Sequence, residues 1–288
     1  MHTLKKLYCR CFQISFRAAL PLMPYRKPKL IDGFSGVPKV LRKHSITRLL
    51  LVTDPGVYSL GLTTPLEQIL KKAGITCIVY KDTVANPTSA NVEDAKNLYL
   101  KKHCQALLAF GGGSSMDTSK AIGIIIANPE FEDVRSLEGV APTKKPCVPI
   151  IAVPTTAGTA AEVTINYVIT DVEKKRKFVC VDPHDMPIIA IVDPEMMSSM
   201  PKGLTASTGM DALTHAIEGY TTKAAWEMTD MFHLKAIELI SKSLRSAVAN
   251  EKEGREGMAL GESDLESHIP WHTHSVLSMT PHTVLPVQ

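Results

Sequence analysis

Short apolar runs alternate with segments of helical spacing between residues 48 and 192. Leu49–Thr53, Thr76–Tyr80 and Ala106–Phe110 have the length and composition of buried strands. Each is followed by a turn and then by a segment with the spacing of a helix. Strands connected in this way pair in parallel through right-handed crossovers. The sequence therefore predicts an α/β fold built on a parallel sheet.

The other expected elements divide the chain into two domains. Helices are expected at Pro65–Ala73, Asn91–Lys102 and Ser114–Ala127. Further strands are expected at Pro149–Val153, Glu162–Thr170 and Ile188–Val192, with a basic run at Lys174–Phe178. After Asp193-Pro194 the pattern becomes helical, over Thr205–Tyr220 and Ala224–Ala247. We expect an α/β domain over residues 24–195 and a helical domain that begins over residues 196–261.

Composition narrows the class of protein. The chain has 288 residues, 44% of them hydrophobic, and its longest apolar runs fall short of the roughly 18 residues that a membrane span needs. The first 31 residues contribute +7 to a net charge of +3, so the remainder is mildly acidic, which argues against broad nucleic-acid binding. The six cysteines form no C-x-x-C pair, and we expect a reducing, cytoplasmic environment.

Residues 1–23 are basic and contain no acidic residue. We do not expect them to be part of the fold. Three interpretations stay open for this extension: a start assigned too far upstream of Met23, an organelle transit peptide, and an ordered segment.

Three glycines follow the third strand and precede a helix. In Gly111–Asp117 the backbone can approach a ligand closely, and the N–H groups and dipole of the new helix favour a pyrophosphate. Ser114 and Asp117 also have the spacing of a capping box. Met116 stands where the third glycine of a G-x-G-x-x-G fingerprint would be, so a plain strand-to-helix turn is an equal alternative.

A second loop of small and hydroxyl-bearing residues, Pro154–Glu162, lies between two expected strands. Its hydroxyls can hydrogen-bond a sugar, an amide or a phosphate without filling a cleft, although ordinary turn chemistry explains the segment equally well. Two such loops at the carboxyl ends of parallel strands together favour a nucleotide site.

Asp211 and His215 are four residues apart in a helical segment, so both side chains are expected on one face of the helix. A carboxylate and an imidazole so placed can supply two ligands to Fe²⁺ or Zn²⁺. The alternatives are an exposed ion pair, or an aspartate near the helix start with a histidine satisfied in the core.

Six stretches of the chain, in order, resemble the iron-containing alcohol dehydrogenase family: VTDPGVYSLGL, VANPTSANVEDAKNLYL, AFGGGSSMDTSKAIGI, IAVPTTAGTAAEVTINYVITD, KFVCVDPHDMP and TGMDALTHAIEGYTT. The likeness runs from about Pro24 to Gly261. It implies a dehydroquinate synthase-like architecture, in which a dinucleotide-binding α/β domain precedes an all-helical metal-binding domain. It also implies an NAD-linked enzyme, often a homodimer, that transfers a hydride between a small alcohol or diol, such as 1,2-propanediol, and the nicotinamide. Fe²⁺ would act as the Lewis acid on the alcohol oxygen, with Zn²⁺ as the alternative metal.

The resemblance assigns roles residue by residue. Asp54 matches the acid that binds the adenosine ribose and disfavours a 2′-phosphate, and thus favours NAD over NADP. Asp211 and His215 match the first two metal ligands. The other positions that match cofactor contacts are Asn86, Gly112, Gly113, Ser114, Ser115, Asp117, Thr155, Thr156, Gly158, Thr159, Thr164 and Lys177.

The chain departs from the family after Gly261. The segment that carries the family's two further histidine ligands is missing, and the chain stops short of the length of family members. His268 and His282 have the family's spacing of fourteen residues, but their neighbours differ, and Pro270 would interrupt a helix that carried His268 and His272. We therefore expect an incomplete helical domain.

A change of reading frame is our hypothesis for residues 262–288. Codons chosen consistently for Glu262–Gln288 and read from each third base encode VGLGIAHSMAHPLGAFYDTPHGVA, which is the segment that the family carries. We hypothesise that this tail is out of frame, after a loss of codons that follow Gly261.

Three functions remain open at this point. The chain is an iron-type alcohol dehydrogenase, or a catalytically inactive chain that binds nucleotide without a complete metal site, or a related zinc glycerol dehydrogenase. The stretch TGMDALTHAIEGY disfavours the third. We expect a small alcohol or aldehyde as substrate, and neither a nucleic acid nor a membrane as partner.

Overall fold

The computed structural model of the chain describes residues 28–222 and 227–268, with residue 228 and residues 261–268 as backbone alone. The expectations for the extension at residues 1–23, for the start of the helix predicted at Ala224, and for the tail beyond His268 lie outside the described residues.

Strands and helices follow the predicted alternating order. The strands are β1 Lys29–Leu30, β2 Arg48–Val52, β3 Thr76–Tyr80, β4 Ala106–Gly111, β5 Ile150–Pro154, β6 Asn166–Asp171, β7 Arg176–Val181 and β8 Ile189–Ala190. The helices are α1 Val37–Lys43, α2 Pro55–Ser59, α3 Thr64–Lys72, α4 Ser89–Lys101, α5 Gly113–Ala127, α6 Lys202–Thr221, α7 Glu227–Val248 and α8 Lys252–His268. Short 3₁₀ helices lie at Phe34–Gly36, Pro129–Phe131, Val134–Leu137 and Pro194–Met197.

Six strands form one sheet in the order β1-β8-β5-β4-β2-β3, and each pairing in it is parallel. This confirms the predicted α/β fold with a parallel sheet. Strands β6 and β7 form a separate antiparallel pair, from Asn166 opposite Val181 to Asp171 opposite Arg176.

The strand expected from Glu162 begins later than predicted. Residues 161–163 form a turn, in which the N–H of Val163 donates to the carbonyl of Ala160. The β-branched pattern of this segment was wrong as a guide to the strand's start, because Ala160 has a φ of 43° and reverses the chain there.

Alternate residues of β2 face opposite cores. Leu50 and Val52 pack in the layer that contains α4 and α5, whereas Leu49 and Leu51 pack in the layer that contains α1 and α3. All four side chains are fully buried. A parallel sheet covered on both faces needs strands that are apolar without interruption, which is the pattern that this segment has.

Helices α6, α7 and α8 form a third core around Ala212, Ala216, Ile240 and Met258. The helix bounds bear out the helical spacing predicted after Asp193, whereas the domain division at residue 195 stays a prediction. In the part of the chain that the structure describes, none of the helices has both the length and the hydropathy of a membrane span.

Candidate nucleotide and metal site

Asp54 follows β2 at the carboxyl edge of the sheet. Its Oδ1 accepts a hydrogen bond of 3.0 Å from the N–H of Val57 and so caps α2. Its Oδ2 faces the neighbouring turn, 3.4 Å from the position that a Cβ atom would take at Gly111. One carboxylate oxygen therefore stabilises a helix, while the other lies at the turn that follows β4.

Glycines form the turn after β4, so no side chain of the turn itself covers the start of α5. Gly111 has a φ of +151°, and a Cβ atom at this position would collide with Ser115. Helix α5 has Gly112 as its N-cap, and no side chain among the described residues caps it. The first N–H groups of α5 and its dipole are thus left for an anionic ligand.

The hydroxyl of Ser115 supports the same interpretation. Its Oγ is buried, and it has no hydrogen-bond partner within residues 28–222 and 227–268. A buried polar group without a partner costs about 1–3 kcal/mol. An oxygen of a bound pyrophosphate would satisfy this hydroxyl, so the turn fits the phosphates of a dinucleotide.

Asp117 does not form the predicted capping box with Ser114. Its Oδ2 instead accepts a hydrogen bond of 3.1 Å from the N–H of Val168. Burial raises the pKa of Asp117 to about 7, against the lowering effect of Lys120. The capping-box prediction was wrong because the carboxylate finds a partner far away in the sequence.

The second loop packs directly on the glycine turn. A Cβ atom added at Gly112 would lie 3.1 Å from Cγ2 of Thr156, and one added at Gly113 would lie 3.2 Å from the side chain of Thr159. The structure therefore brings together the two loops that the sequence indicated separately, and glycine at positions 112 and 113 permits their close approach.

Asn86 and Lys177 lie together near the β6–β7 pair. Lys177 Nζ donates a hydrogen bond of 2.8 Å to Oδ1 of Asn86, across 91 residues of sequence. Asn86 has a φ of 57°, a left-handed conformation that asparagine tolerates, and its carbonyl accepts a hydrogen bond from Thr170 Oγ1. Both side chains are exposed, so a ligand at this edge can reach them.

Lys120 is a buried residue to which the sequence analysis assigned no role. Its Nζ donates to the carbonyl oxygens of Thr164 and Asn166, and it lies 3.4 Å from Oδ2 of the fully buried Asp185. Burial raises the pKa of Asp185 to about 8, although Lys120 lowers it. The available signal was a single lysine directly before the apolar run Ala121–Ala127 of α5.

Asp211 and His215 lie on one face of α6, as the spacing predicts. The distance from Asp211 Oδ1 to His215 Nε2 is 3.7 Å. A carboxylate and an imidazole at this separation fit two positions on one Fe²⁺ or Zn²⁺ ion. Among the residues that the structure describes, no third histidine, cysteine, aspartate or glutamate completes a group around them.

Gly158 connects the second loop to α6. A Cβ atom at this position would collide with the carbonyl oxygen of Thr208, three residues before Asp211 on the same helix. The second loop therefore contacts both the glycine turn and the helix that carries the Asp211–His215 pair.

The fold defines an α/β protein whose parallel sheet is followed by a helical region, with a glycine turn at the carboxyl edge of the strands, which is where open α/β sheets commonly bind their ligands. Residues 32–194 match the family described as iron-containing alcohol dehydrogenase, and residues 205–264 match the C-terminal part of the Fe-containing alcohol dehydrogenase family. The chain belongs to the iron-containing alcohol dehydrogenase family.

Three similar proteins illustrate the match. Lactaldehyde reductase of Escherichia coli (strain K12) is 53% identical over 222 residues, which are 77% of this chain and 58% of that protein. The crystal structure of a 1,3-propanediol oxidoreductase has a TM-score of 0.78 and 36% identity, over 85% of this chain and 64% of the other. Sulfoacetaldehyde reductase from Bifidobacterium kashiwanohense, in complex with NAD⁺, has a TM-score of 0.76 and 32% identity, over 85% and 66%. The chain thus spans 58% of the length of lactaldehyde reductase.

Proposed function

We propose that the chain is the nucleotide-binding and metal-binding part of an NAD-linked, iron-dependent alcohol dehydrogenase. The reaction is the transfer of a hydride between a small alcohol or diol and the nicotinamide. The observation that carries this proposal is the position of the second loop, which touches the glycine turn on one side and α6 on the other. Family membership and the relatives that act on lactaldehyde and 1,3-propanediol support it.

The residues at the carboxyl edge of the sheet bind the dinucleotide in this proposal. Asp54 accepts a hydrogen bond from the adenosine ribose through Oδ2, the oxygen that does not cap α2, and the first N–H groups of α5 hold the pyrophosphate. Hydroxyls of the second loop contact the sugar and amide groups. Lys177 and Asn86, which are bonded to each other, exchange that hydrogen bond for contacts with the ligand.

Asp211 and His215 hold the metal. A divalent ion at this position supplies a Lewis acid for the oxygen of the alcohol or aldehyde. The two side chains would hold the ion on α6, three and seven residues after Thr208, where the second loop contacts this helix. Fe²⁺ is the ion that the family indicates, and Zn²⁺ suits the same donors.

A second candidate function is nucleotide binding without turnover. It rests on the number of ligands: the described residues offer two donors, while catalytic metal sites commonly have three protein ligands and an open position. On this basis we expect the chain to bind NADH but to oxidise alcohols much more slowly than lactaldehyde reductase.

The test is a titration followed by an assay. The chain is titrated with NADH, then with Fe²⁺ under anaerobic conditions, and is finally assayed with NAD⁺ and 1,2-propanediol beside lactaldehyde reductase of E. coli. Failure to bind NADH would contradict the proposal. Turnover equal to that of lactaldehyde reductase, lost in His268→Ala or His282→Ala, would show that the tail completes the metal site and that the second candidate is wrong.

The remaining expectations are also proposals. We propose a homodimer, which light scattering coupled to size-exclusion chromatography tests. We propose the cytoplasm as the location, and the thiols of Cys77, Cys104, Cys147 and Cys180, which are not joined in disulfides, are compatible with its reducing conditions.

A further inference from the structure

Two side chains of α5 bind the edge of β6 that faces away from β7. The main-chain N–H and C=O groups of residues 165, 167 and 169 point towards β7. Those of residues 164, 166 and 168 point towards α5. On that side, Lys120 donates to the carbonyls of Thr164 and Asn166, and Asp117 accepts from the N–H of Val168. The helix thus provides, through side chains, the hydrogen bonds that a third strand would have provided.

The ammonium group of Lys120 is fully enclosed. The side chain of Lys120 is 1% exposed and that of Asp185 is 0% exposed, with 3.4 Å between Nζ and Oδ2. Glu162 is also buried beside this cluster, and its pKa is raised to about 7 by burial although Lys120 lowers it. Because a buried charge is costly unless it is bonded, the positions of the Thr164 and Asn166 carbonyls are tightly coupled to that of Lys120.

The second loop is therefore fixed near both of its ends to the glycine turn and the helix α5 that follows this turn. At its start, the N–H of Thr155 donates a hydrogen bond of 3.0 Å to the carbonyl of Gly111 in the glycine turn. Two residues past its end, Thr164 is held by Lys120, which lies two turns into the helix that this glycine turn begins.

We propose that Lys120 is a positioning residue for the dinucleotide, which holds the second loop against the glycine turn before the ligand arrives. A loop that is ordered in advance loses less conformational entropy on binding, and this raises affinity without a contact between Lys120 and the ligand. This inference rests on the proposed function, because it assigns the second loop to the NAD site.

The test compares buried lysines on neighbouring helices. Lys120→Met removes the ammonium from α5. Lys96→Met is the matched control, since Lys96 is 5% exposed, lies on α4 and forms its ion pair with Glu93 on the same helix. Lys120→Arg restores a cation. Each full-length variant is measured for its NADH dissociation constant, its thermal midpoint and the hydrogen exchange of the amides in residues 155–166.

We expect Lys120→Met to raise the NADH dissociation constant by about tenfold and to speed exchange in residues 155–166. Lys96→Met should lower the thermal midpoint without either effect, and Lys120→Arg should recover most of the affinity, which a merely destabilised fold would not do. A folded Lys120→Met that binds NADH like the wild type would overturn the inference, as would an equal loss of affinity in Lys96→Met.

Two further outcomes separate this inference from the proposed function. If the wild-type chain does not bind NADH, the proposed function is wrong. Hydrogen exchange then tests whether Lys120 holds the second loop, and unchanged exchange in Lys120→Met would show that it does not. If Lys120→Met does not fold, Lys120→Gln replaces it in the same measurements. We expect the same rise in the NADH dissociation constant, and wild-type affinity in a folded Lys120→Gln would overturn the inference.

Discussion

Asp211 Oδ1 and His215 Nε2 lie 3.7 Å apart on successive turns of α6, with the carboxylate side chain 53% exposed and the imidazole 17% exposed. The histidine is thus held by its surroundings, while the carboxylate can rotate towards an ion. Two donors in this arrangement form part of a metal site, whose affinity the first prediction addresses.

His215→Ala should abolish site-specific binding of Zn²⁺ while NADH binding stays unchanged. Within residues 28–222 and 227–268, the remaining carboxylate then has no second donor with which to chelate the ion. Isothermal titration with Zn²⁺ measures the effect. His184→Ala is the matched control, because His184 Nδ1 also lies close to a carboxylate oxygen, 3.4 Å from Oδ1 of Asp182. Equal losses in the two variants would mean that the binding is not specific to α6.

Asp54→Asn should weaken the preference for NADH over NADPH by about tenfold, because the negative charge that repels a 2′-phosphate is removed. Asparagine retains an oxygen that can accept the hydrogen bond from Val57, so the thermal midpoint should stay close to that of the wild type. The measurement is the ratio of dissociation constants for the two nucleotides.

Asp133→Asn is the control for this substitution, since Asp133 also accepts a hydrogen bond from a main-chain N–H at the start of a short helix. Its nucleotide ratio should equal that of the wild type. A wild-type chain that binds NADPH as tightly as NADH would refute the role assigned to Asp54.

Gly112→Val should abolish NADH binding and leave Zn²⁺ binding intact. A Cβ atom at position 112 already lies 3.1 Å from Thr156, and the two methyl groups of valine would force the second loop away from the turn. Gly203→Val is the control, because a Cβ atom at Gly203 meets nothing within 4 Å. Unchanged NADH affinity in folded Gly112→Val would mean that the segment is an ordinary turn.

The stability of the fold should decrease as the pH rises from about 4 towards 8. Burial raises the pKa of Asp185 from 3.8 to about 8, so in this range the folded chain holds a proton that the unfolded chain has lost. Each such proton reduces the free energy of unfolding by about 1.4 kcal/mol per pH unit. Asp117 and Glu162, with pKa values of about 7, act in the same direction up to that pH.

Asp185→Asn should therefore flatten the dependence between pH 7 and 8 and come closest to the wild type near pH 4, where the carboxyl is protonated in the folded chain and begins to be protonated in the unfolded chain. Urea denaturation at the three pH values measures the change. Asp133→Asn, at an exposed position, should keep the slope of the wild type. An identical slope in Asp185→Asn would contradict the assignment of this proton.

Nucleotide sequence across residues 255–288 should show an overlapping reading frame that encodes the family segment GLGIAHSMAHPLGAFYDTPHG. The hypothesis of an out-of-frame tail requires this overlap. A well-supported gene whose codons for Glu262–Gln288 do not contain this overlapping frame would contradict the hypothesis.

The local sequence pattern was sufficient to predict the strands and helices on which the site residues lie. It was insufficient to predict the hydrogen bonds between these elements. β3 has the predicted bounds of Thr76–Tyr80, because a short apolar run between turns is a local signal. The partner of Asp117 is Val168, 51 residues away, and no local rule relates them. The role of Lys120 was missed for the same reason, since the carbonyl it binds at Thr164 belongs to a loop that packs there only in the folded chain.

The contact between Gly158 and Thr208 has a consequence for recombining this chain with its relatives. The atom closest to a side chain added at position 158 is the main-chain oxygen of Thr208, which no substitution at 208 can shorten or remove. A chimera that joins this α/β region to the helices of another family member must therefore keep glycine at 158. With any other residue there, α6 would have to move away from the second loop. The spacing between the second loop and α6 at this position is therefore one constraint on which helical regions this α/β region can accept.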